Sequence, residues 1–556
     1  MLSVAILAPV LPRGFVLVYD MSFVPHQPLH PDSLGLGGGL PRAVPADALV
    51  AVATTVIPGD ILQKLVLFGT LFAAALGAAR LSPGSTLTRC VAAVAYTWNA
   101  FIAERLLIGQ WGLLVAYAAL PWILKTALEL RERSDRRQWA RLVLVSLPAV
   151  ITPTGGLLAA GAALAVAGRR RLAGVLGVAA AMNAPWWLPA VLHPGAGGSD
   201  PDAVAAFAAR GEGWAPAVLS VLGLGGIWNA EVVPASRGNP VLPLFTLLIV
   251  GLAAWGTWLL IRRWGAPARG LAVLAGAGLV VAIAGTLPGL STVLEWAVGN
   301  VPGAGLLRDG QKWTAWWALL SSLGFALACE ALGTLSRDRL ARVAVGVGAL
   351  LLPIAILPDL VWGAAGRLEP VSYPADWQRV SRILADDPRP GEVLSAPPSA
   401  YRRFSFNGGR TQYDPAPRYL PRPVVVADEL RIGATVVRGE DTRAARVVAA
   451  AAAGEPLGRY GIGWVLVARG TPGPSVDAES LTRVYDGESL TLYRVGGRVA
   501  DPPGWSAATP WVLTVDAAVT LLLLLSALSL LLPSGKLVAS RRRASSRATS
   551  HREGER

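Results

Sequence analysis

The chain has 556 residues, of which 53% are hydrophobic and only 15% are charged, and its mean hydropathy is +0.48. A soluble chain of this length would carry roughly a quarter charged residues. The composition therefore excludes a disordered protein and argues against an ordinary soluble enzyme. The 50 Lys and Arg residues outnumber the 36 Asp and Glu residues, which gives a formal net charge of +14. The basic residues stand between long apolar runs, as in a membrane protein rather than a nucleic-acid-binding one.

Cysteine and histidine are too sparse to predict a site of their own. The two cysteines, Cys90 and Cys329, both lie in apolar segments, and the four histidines are scattered along the chain. This pattern predicts neither a disulfide framework nor a metal site built on Cys and His.

Apolar segments near the length of a membrane-spanning helix, about 20 residues, predict about twelve spans. The break at Pro153-Thr154-Gly155-Gly156 leaves open whether two of the segments are separate spans or one re-entrant hairpin. The candidates are 2–19, 62–79, 88–105, 108–125, 139–152, 154–168, 172–191, 241–261, 268–287, 313–334, 343–363 and 511–533.

The first candidate span contains Pro9, Pro12 and Arg13, and a cleaved signal peptide is the alternative there. No basic region leads the chain and no small-residue cleavage site precedes Asp20, so the sequence favours a short span.

Arg and Lys mark the cytoplasmic side of a membrane protein. With twelve spans every cluster of these residues falls on one side, which predicts that both termini are cytoplasmic. The basic tail is interpreted as topogenic charge, with contact to anionic lipids as the alternative. The clusters are Arg80 with Arg89, 125–141, 169–171, 262–269, 337–342 and 536–556.

The predicted fold class is an α-helical polytopic membrane protein with a small extracytoplasmic α/β domain before the last helix. The predicted domains are 1–366 (spans, with a long first outer loop at 20–63), 367–509 (α/β domain), 510–534 (last span) and 535–556 (basic cytoplasmic tail, expected to be disordered). Asp486-Gly487 between two alternating runs predicts a hairpin in the α/β domain. The other elements predicted there are strands at 393–396, 464–468, 481–485 and 490–495, and helices at 377–385 and 442–453.

Asp20 follows the first apolar segment directly and is the candidate catalytic residue. A carboxylate there could accept a proton or hold a cation, and the alternative is a solvated charge at a helix end. His26 in the same stretch is a candidate substrate-binding residue. In the same loop, the apolar segment Asp47–Ile57 could lie flat in the membrane interface.

Glu104 and Arg105 stand at a very tight connection between two candidate spans, which would keep them at the membrane surface. The planar guanidinium of Arg105 suits a phosphate group. The alternative is an internal Glu–Arg pair that stabilises the turn.

Arg308, Asp309 and Lys312 open a later span. Charged groups at a helix N-terminus suit an anionic headgroup. Anchoring in lipid headgroups beside Trp313 is the alternative. In another outer loop, Trp228-Asn229-Ala230-Glu231 offers weaker candidates for stacking on a sugar.

Together these residues resemble the GT-C superfamily of membrane glycosyltransferases. Asp20 falls where that family has its first-loop acid. Asn99 through Trp111 resembles a segment of actinobacterial members, including the arabinofuranosyltransferase branch. Arg308 through Trp313 resembles their charged entry to a later span, and 460–495 is similar to their small external domains. The chain departs from the family in having a lone acid where paired acids are common.

The resemblance implies sugar transfer on the outer face of the membrane from a polyprenyl-phosphate donor to a glycan or lipid acceptor of the cell envelope. Asp20 would be the general base, and Arg105, Arg308 and Lys312 would lie near the phosphate. A divalent metal could assist at Asp20, although the acids are too few to predict its ligands. Membrane lipids are expected partners and nucleic acid is not. Two alternatives remain: a transporter or flippase of a lipid-linked intermediate, and a non-catalytic envelope assembly protein.

Overall fold

The computed structural model describes residues 1–193, 198–433, 435–474, 476, 481–501 and 509–532. Within these ranges, eight helices are long and apolar enough to cross a membrane. Their outward-facing side chains include many exposed leucines, such as Leu247 and Leu248 at 50% exposure each, as a lipid environment requires. The chain is therefore a multi-pass membrane protein. The eight segments are Gly59–Leu81, Trp111–Glu132, Arg169–Leu192, Leu242–Trp264, Ala266–Ala284, Gly310–Leu335, Arg339–Ile356 and Thr509–Leu531.

Helices make up most of the described residues, and the predicted tail at 535–556 lies outside them. One element, α17, is a left-handed turn in which Trp362, Gly363, Ala364 and Ala365 have positive φ. The helices are α1 Leu2–Leu7, α2 Ala46–Thr54, α3 Gly59–Leu81, α4 Thr86–Thr97, α5 Ala100–Leu107, α6 Trp111–Glu132, α7 Arg136–Val150, α8 Pro153–Ala167, α9 Leu172–Leu192, α10 Ala203–Ala206, α11 Ala217–Leu222, α12 Leu242–Trp264, α13 Ala266–Ala284, α14 Leu290–Asn300, α15 Ala315–Leu335, α16 Arg339–Ile356, α17 Val361–Gly366, α18 Ala375–Asp386, α19 Ala416–Tyr419, α20 Thr442–Ala452 and α21 Thr509–Leu531.

The prediction of a membrane-spanning helix over 2–19 is wrong. The α-helix ends at Leu7, and a single 3-10 turn carries the chain to Val10. Pro9 and Pro12 have no amide N–H to donate along a helix, so the regular hydrogen bonding cannot continue. The chain then bends at residues 12–14, and residues 15–18 form an extended segment with isolated β-bridges rather than a helix.

This extended segment lies inside the protein, where other elements satisfy its backbone. The Gln63 side chain of α3 accepts from the Val16 amide at 2.9 Å and donates to the Val16 carbonyl at 2.7 Å. Phe15 and Val371 exchange backbone hydrogen bonds of 2.8 and 2.9 Å. Buried backbone groups need such partners, which explains how a non-helical segment is tolerated here.

The predicted single span over 88–105 is also wrong, because the helix is interrupted at Trp98 and Asn99. The Asn99 side chain accepts from the Ile102 amide at 3.1 Å and so caps the new helix α5. At eight residues α5 is about 12 Å long, far too short to cross a bilayer. At 139–168 the chain forms two separate 15-residue helices, α7 and α8. Either two spans or one re-entrant hairpin fits these helices, so both predictions stay open.

The loop before α3 carries the predicted apolar helix, α2, which exposes Leu49 and Val52. At its start, Asp47 accepts from the Arg418 guanidinium at 3.1 Å. This ion pair fastens the loop to the chain beyond residue 370. Contact of α2 with the membrane interface stays a prediction.

Between α18 and α21 the chain forms the α/β domain, built on a mixed five-stranded sheet in the order β4-β1-β7-β9-β8. The central strand β7 pairs parallel to β1 and antiparallel to β9, and the predicted hairpin at Asp486-Gly487 joins β8 to β9. Two small hairpins, β2–β3 and β5–β6, lie outside this sheet. The strands are β1 Glu392–Ala396, β2 Tyr401–Arg403, β3 Thr411–Tyr413, β4 Val424–Val425, β5 Leu430–Ile432, β6 Thr435–Val437, β7 Ile462–Ala468, β8 Thr482–Asp486 and β9 Leu490–Arg494.

Two helices cover the two faces of this sheet. Trp377 of α18 packs in one core with Trp464, and Val447 of α20 packs in another core with Val465. Adjacent residues of a strand point to opposite faces, so Trp464 and Val465 place the helices on opposite sides. The prediction of a small α/β domain before the last helix is confirmed.

Candidate functional site

Asp20 lies in a tight turn that rests on the connection between α5 and α6. The Met21 amide donates to the Val18 carbonyl at 2.8 Å, which closes the turn, and the Asp20 amide donates to the Ile108 carbonyl at 3.2 Å. Gly109 has φ of +72° and lies directly beneath, so a Cβ there would stand 2.1 Å from the Val18 oxygen. The tight α5–α6 connection is thus the support of the candidate acid.

This support gives a first prediction. Gly109→Ala should lower activity at least tenfold, because an added Cβ must push the Asp20 turn away and small displacements of reacting groups are costly. The matched control is Gly69→Ala, in α3, where a Cβ would meet nothing within 4 Å. Product formation and membrane insertion would be measured for both variants. Full activity of Gly109→Ala would show that the position of the turn does not matter.

Tyr19, which precedes the candidate acid, has a strained backbone with φ of +39°. Such outliers are uncommon for residues other than glycine and cluster at functional sites. Its hydroxyl donates to Glu231 at 2.6 Å. Burial and Glu231 raise the pKa of Tyr19, so this hydroxyl stays protonated at neutral pH. Glu231 also accepts from Arg403 at 3.3 Å.

Asp20 itself is partly exposed and faces the α/β domain. Its Oδ1 accepts a hydrogen bond from the Tyr401 hydroxyl. Burial and the Asp20 carboxylate raise the pKa of Tyr401 well above its ordinary value, so the phenol is a donor at any physiological pH. No sequence pattern indicated this contact, which joins residues 381 positions apart.

Arg105 is buried inside the protein, with 1% exposure, and its place at the membrane surface stays a prediction. Its guanidinium donates to Gln110 at 3.0 Å and lies 3.7 Å from Asp309. Lys312 binds the same Asp309 oxygen at 3.0 Å. Burial alone would raise the pKa of Asp309, but Lys312 and Arg105 outweigh it and the pKa lies below its ordinary value. Arg105, Asp309 and Lys312, three of the residues singled out in the sequence, therefore form one charged cluster.

Glu104 belongs to a second buried group. The Glu212 carboxylate binds Arg237 at 2.5 Å and accepts from the Gly226 amide at 2.5 Å. Burial and the neighbouring Glu212 carboxylate raise the pKa of Glu104 well above its ordinary value. Two carboxylates this close repel each other, so one of them favours the protonated form. A protonated Glu104 can share its proton with Glu212. Neither Glu212 nor Arg237 was among the predicted residues.

The structure does not bring Arg308 or His26 to these groups. Arg308 donates to Glu440 of the α/β domain at 2.7 Å and stacks over Phe207, so its charge joins the domain to the membrane part. His26 is exposed, and its Nδ1 lies 3.1 Å from the Thr54 carbonyl at the end of α2.

Unpaired buried polar atoms gather around the two charged groups. Among the described residues, Glu104 Oε1, Arg105 Nε, Asp309 Oδ1 and Gln311 Oε1 are buried with no hydrogen-bond partner. Buried polar atoms in folded proteins are nearly always paired, and exceptions call for an explanation.

An apolar cavity of about 60 Å³ reaches the second group. It lies between α12, α15, α16 and the break before α5, and its lining includes Ile249, Trp317 and Phe325. Arg237 and Asn99 supply polar lining. An apolar lining with a charged group at its edge suits a short part of an apolar chain beside a polar head.

Metal ligands do not converge on Asp20. Within the described ranges, no group of three or more His, Cys, Asp and Glu side chains could hold a metal ion. Asp20 accepts a hydrogen bond from a tyrosine. Asp309 and Glu212 form ion pairs with arginines. These donors do not fit the divalent metal considered from the sequence.

Comparisons with known proteins identify the fold. No family model matches the chain, and no curated protein matches it in sequence. The structure is similar to that of the arabinofuranosyltransferase AftD from Mycobacteria, with a TM-score of 0.54 and 19% identity over 90% of this chain. The match covers 40% of AftD, so this chain spans about two fifths of that protein's length. The match to ArnT from Cupriavidus metallidurans covers 85% of this chain and 90% of the ArnT chain at 12% identity. Its TM-score of 0.37 is too low to support an argument.

Proposed function

We propose that this chain, which has the fold of the GT-C membrane glycosyltransferases, transfers a sugar from a polyprenyl-phosphate donor to a glycan or lipid acceptor of the cell envelope. The reaction takes place on the outer face of the membrane. In this arrangement the basic clusters of the helix ends face the cytoplasm, and Asp20 and the α/β domain face outward.

One observation carries the proposal: the candidate acid and the charged cluster share one short connection. The Asp20 amide is bound to Ile108, Gly109 touches the Asp20 turn, and Gln110 binds Arg105. Three consecutive residues, 108–110, thereby support both the Asp20 carboxylate and the Arg105 cation, which would bind the phosphate in the proposed reaction. Both are what transfer from a sugar phosphate needs.

The chemistry is acid–base assisted substitution. Asp20 accepts the proton of the acceptor hydroxyl as its oxygen attacks the anomeric carbon. The bond between that carbon and the phosphate oxygen breaks, and polyprenyl phosphate leaves with the electron pair. Arg105 and Lys312 stabilise the negative charge on the phosphate. Arg308, held by Glu440, takes no part in this step.

The apolar cavity supports a lipid-linked donor rather than a nucleotide sugar, because its lining suits a polyprenyl chain. A transporter would instead gather its binding groups near the bilayer midplane. Here the ionisable groups beside the α5–α6 connection lie at helix ends. Arg105 is near the end of α5, and Asp309 lies before α15. A purely structural assembly role would not explain the strained backbone at Tyr19, since such strain clusters at functional sites.

The test is transfer by the purified full-length chain in lipid nanodiscs. A polyprenyl-phosphate arabinofuranose is the first probe, since AftD is an arabinofuranosyltransferase, with other polyprenyl-phosphate sugars run in parallel. The proposal expects release of polyprenyl phosphate together with a glycosylated envelope acceptor. Absence of transfer from every donor would contradict it.

The cavity gives a second prediction. Ile249→Trp should raise the KM for the lipid-linked donor about tenfold, because the larger side chain fills space that the polyprenyl chain would occupy. The matched control is Leu248→Trp, a neighbouring position of α12 that is 50% exposed and outside the cavity lining. Equal KM values for both variants and the wild type would exclude the cavity as the donor site.

A further inference from the structure

The hairpin formed by β2 and β3 docks directly on the turn that holds Asp20. The Tyr19 amide donates to the Thr411 carbonyl at 2.8 Å, and the Tyr413 amide donates to the Tyr19 carbonyl at 2.8 Å. Deeper in the hairpin loop, the Asn407 side chain donates to the Leu17 carbonyl at 2.8 Å. The α/β domain thus fixes the backbone of the residue before the candidate acid.

The same hairpin brings a side chain to the acid itself. The Tyr401 hydroxyl donates to Asp20 Oδ1. The Tyr401 ring is held between two other rings, with centroids 6.3 Å from Tyr19 and 5.7 Å from Tyr413. A ring packed on two sides has little freedom to turn, so its hydroxyl holds the carboxylate in one orientation.

We propose that Tyr401 is a positioning residue for Asp20, so that the α/β domain supplies part of the transferase site. This inference rests on the proposed function of Asp20. With Oδ1 bound to the phenol, the carboxylate plane is set and Oδ2 is the oxygen that takes the acceptor proton. The domain is then more than an accessory glycan-binding module, because the reaction centre is incomplete without its β2–β3 hairpin.

The experiment compares Tyr401→Phe with Tyr413→Phe in the full-length chain. Both changes remove one hydroxyl from the same hairpin and keep the ring, but only Tyr401 donates to Asp20. Initial rates with polyprenyl-phosphate arabinofuranose and acceptor would give kcat and KM for each variant. The unfolding midpoint in nanodiscs, followed by tryptophan fluorescence, shows whether a variant is folded.

Tyr401→Phe should lower kcat about tenfold or more, as expected for losing a hydrogen bond to a charged group, and leave both KM values within about twofold. Tyr413→Phe should change neither constant. An unchanged kcat for Tyr401→Phe would overturn the inference. A higher kcat would also overturn it, because the hairpin would then be an inhibitory cover. Equal losses in both variants with lower unfolding midpoints would overturn it too, because the role would then be structural.

The Asp20→Asn variant separates this inference from the proposed function. If Asp20→Asn is inactive and Tyr401→Phe retains the wild-type kcat, the inference alone fails. If Asp20→Asn retains the wild-type rate, or the wild-type chain transfers no sugar, both fail.

Discussion

Asp20→Asn should lower the rate of sugar transfer by a factor of about 10² to 10⁴, the range that a general base contributes. The amide keeps the shape of the carboxylate and can still contact the Tyr401 hydroxyl, but it cannot accept the acceptor's proton. Folding should change little, because the Asp20 side chain is partly exposed. The hydrogen bond to Ile108 comes from the Asp20 backbone amide, which the substitution keeps. The rate would be measured with the purified chain and a polyprenyl-phosphate sugar.

The matched control is Asp202→Asn, the same chemical change at an exposed position of another loop. It should leave the rate unchanged. A wild-type rate from Asp20→Asn would remove the carboxylate from the mechanism and favour transport or assembly.

The largest effect on stability is expected at Arg237. Arg237→Met should destabilise the chain by about 3–5 kcal/mol, as breaking a buried ion pair does. Arg237 and Glu212 are 8% and 3% exposed in their side chains, and Glu104 lies beside them. Without the guanidinium, the buried Glu212 carboxylate loses its ion-pair partner while the Glu104 carboxyl group remains beside it.

Two comparisons would check this cause. Adding Glu212→Gln to Arg237→Met should recover part of the stability, since it removes the unbalanced charge. Arg431→Met breaks a pair in which the arginine is 78% exposed, and it should cost less than about 1 kcal/mol. The measurement is the unfolding midpoint in nanodiscs. Equal losses for the buried and the exposed arginine would contradict the argument.

Most long helices could be predicted from the sequence, because uninterrupted apolar runs leave the chain few other structures in lipid. The sheet domain could also be predicted, from alternating strands and the turn at Asp486-Gly487. The two wrong predictions of a span share a cause. An apolar run does not show which groups form hydrogen bonds with its backbone. At 2–19 the prolines were visible, but the Gln63 side chain that satisfies Val16 comes 47 residues later.

The break at Asn99 left a local signal, since asparagine is a strong helix N-cap. Hydropathy averaged over a window hides a single capping residue, so the segment was predicted as one span. The structure that results buries Glu104 and Arg105 in the protein interior.

The candidate site could be predicted only in part. Arg105, Asp309 and Lys312 could be singled out because charges beside apolar helices need partners. Their neighbour Arg308 points elsewhere, and its partner Glu440 is 132 residues away. Tyr401 and Arg237 carried no signal, because each acquires its meaning from a distant contact that the fold alone creates.

The most direct measurement is an analysis of envelope glycans and lipid-linked sugars in a strain that lacks this chain, complemented with the wild type or with Asp20→Asn. The account predicts a truncated glycan and accumulated polyprenyl-phosphate sugar in the deletion strain. It also predicts that only the wild type restores the glycan. Restoration by both chains would contradict it, because the Asp20 carboxylate would then not be needed for transfer.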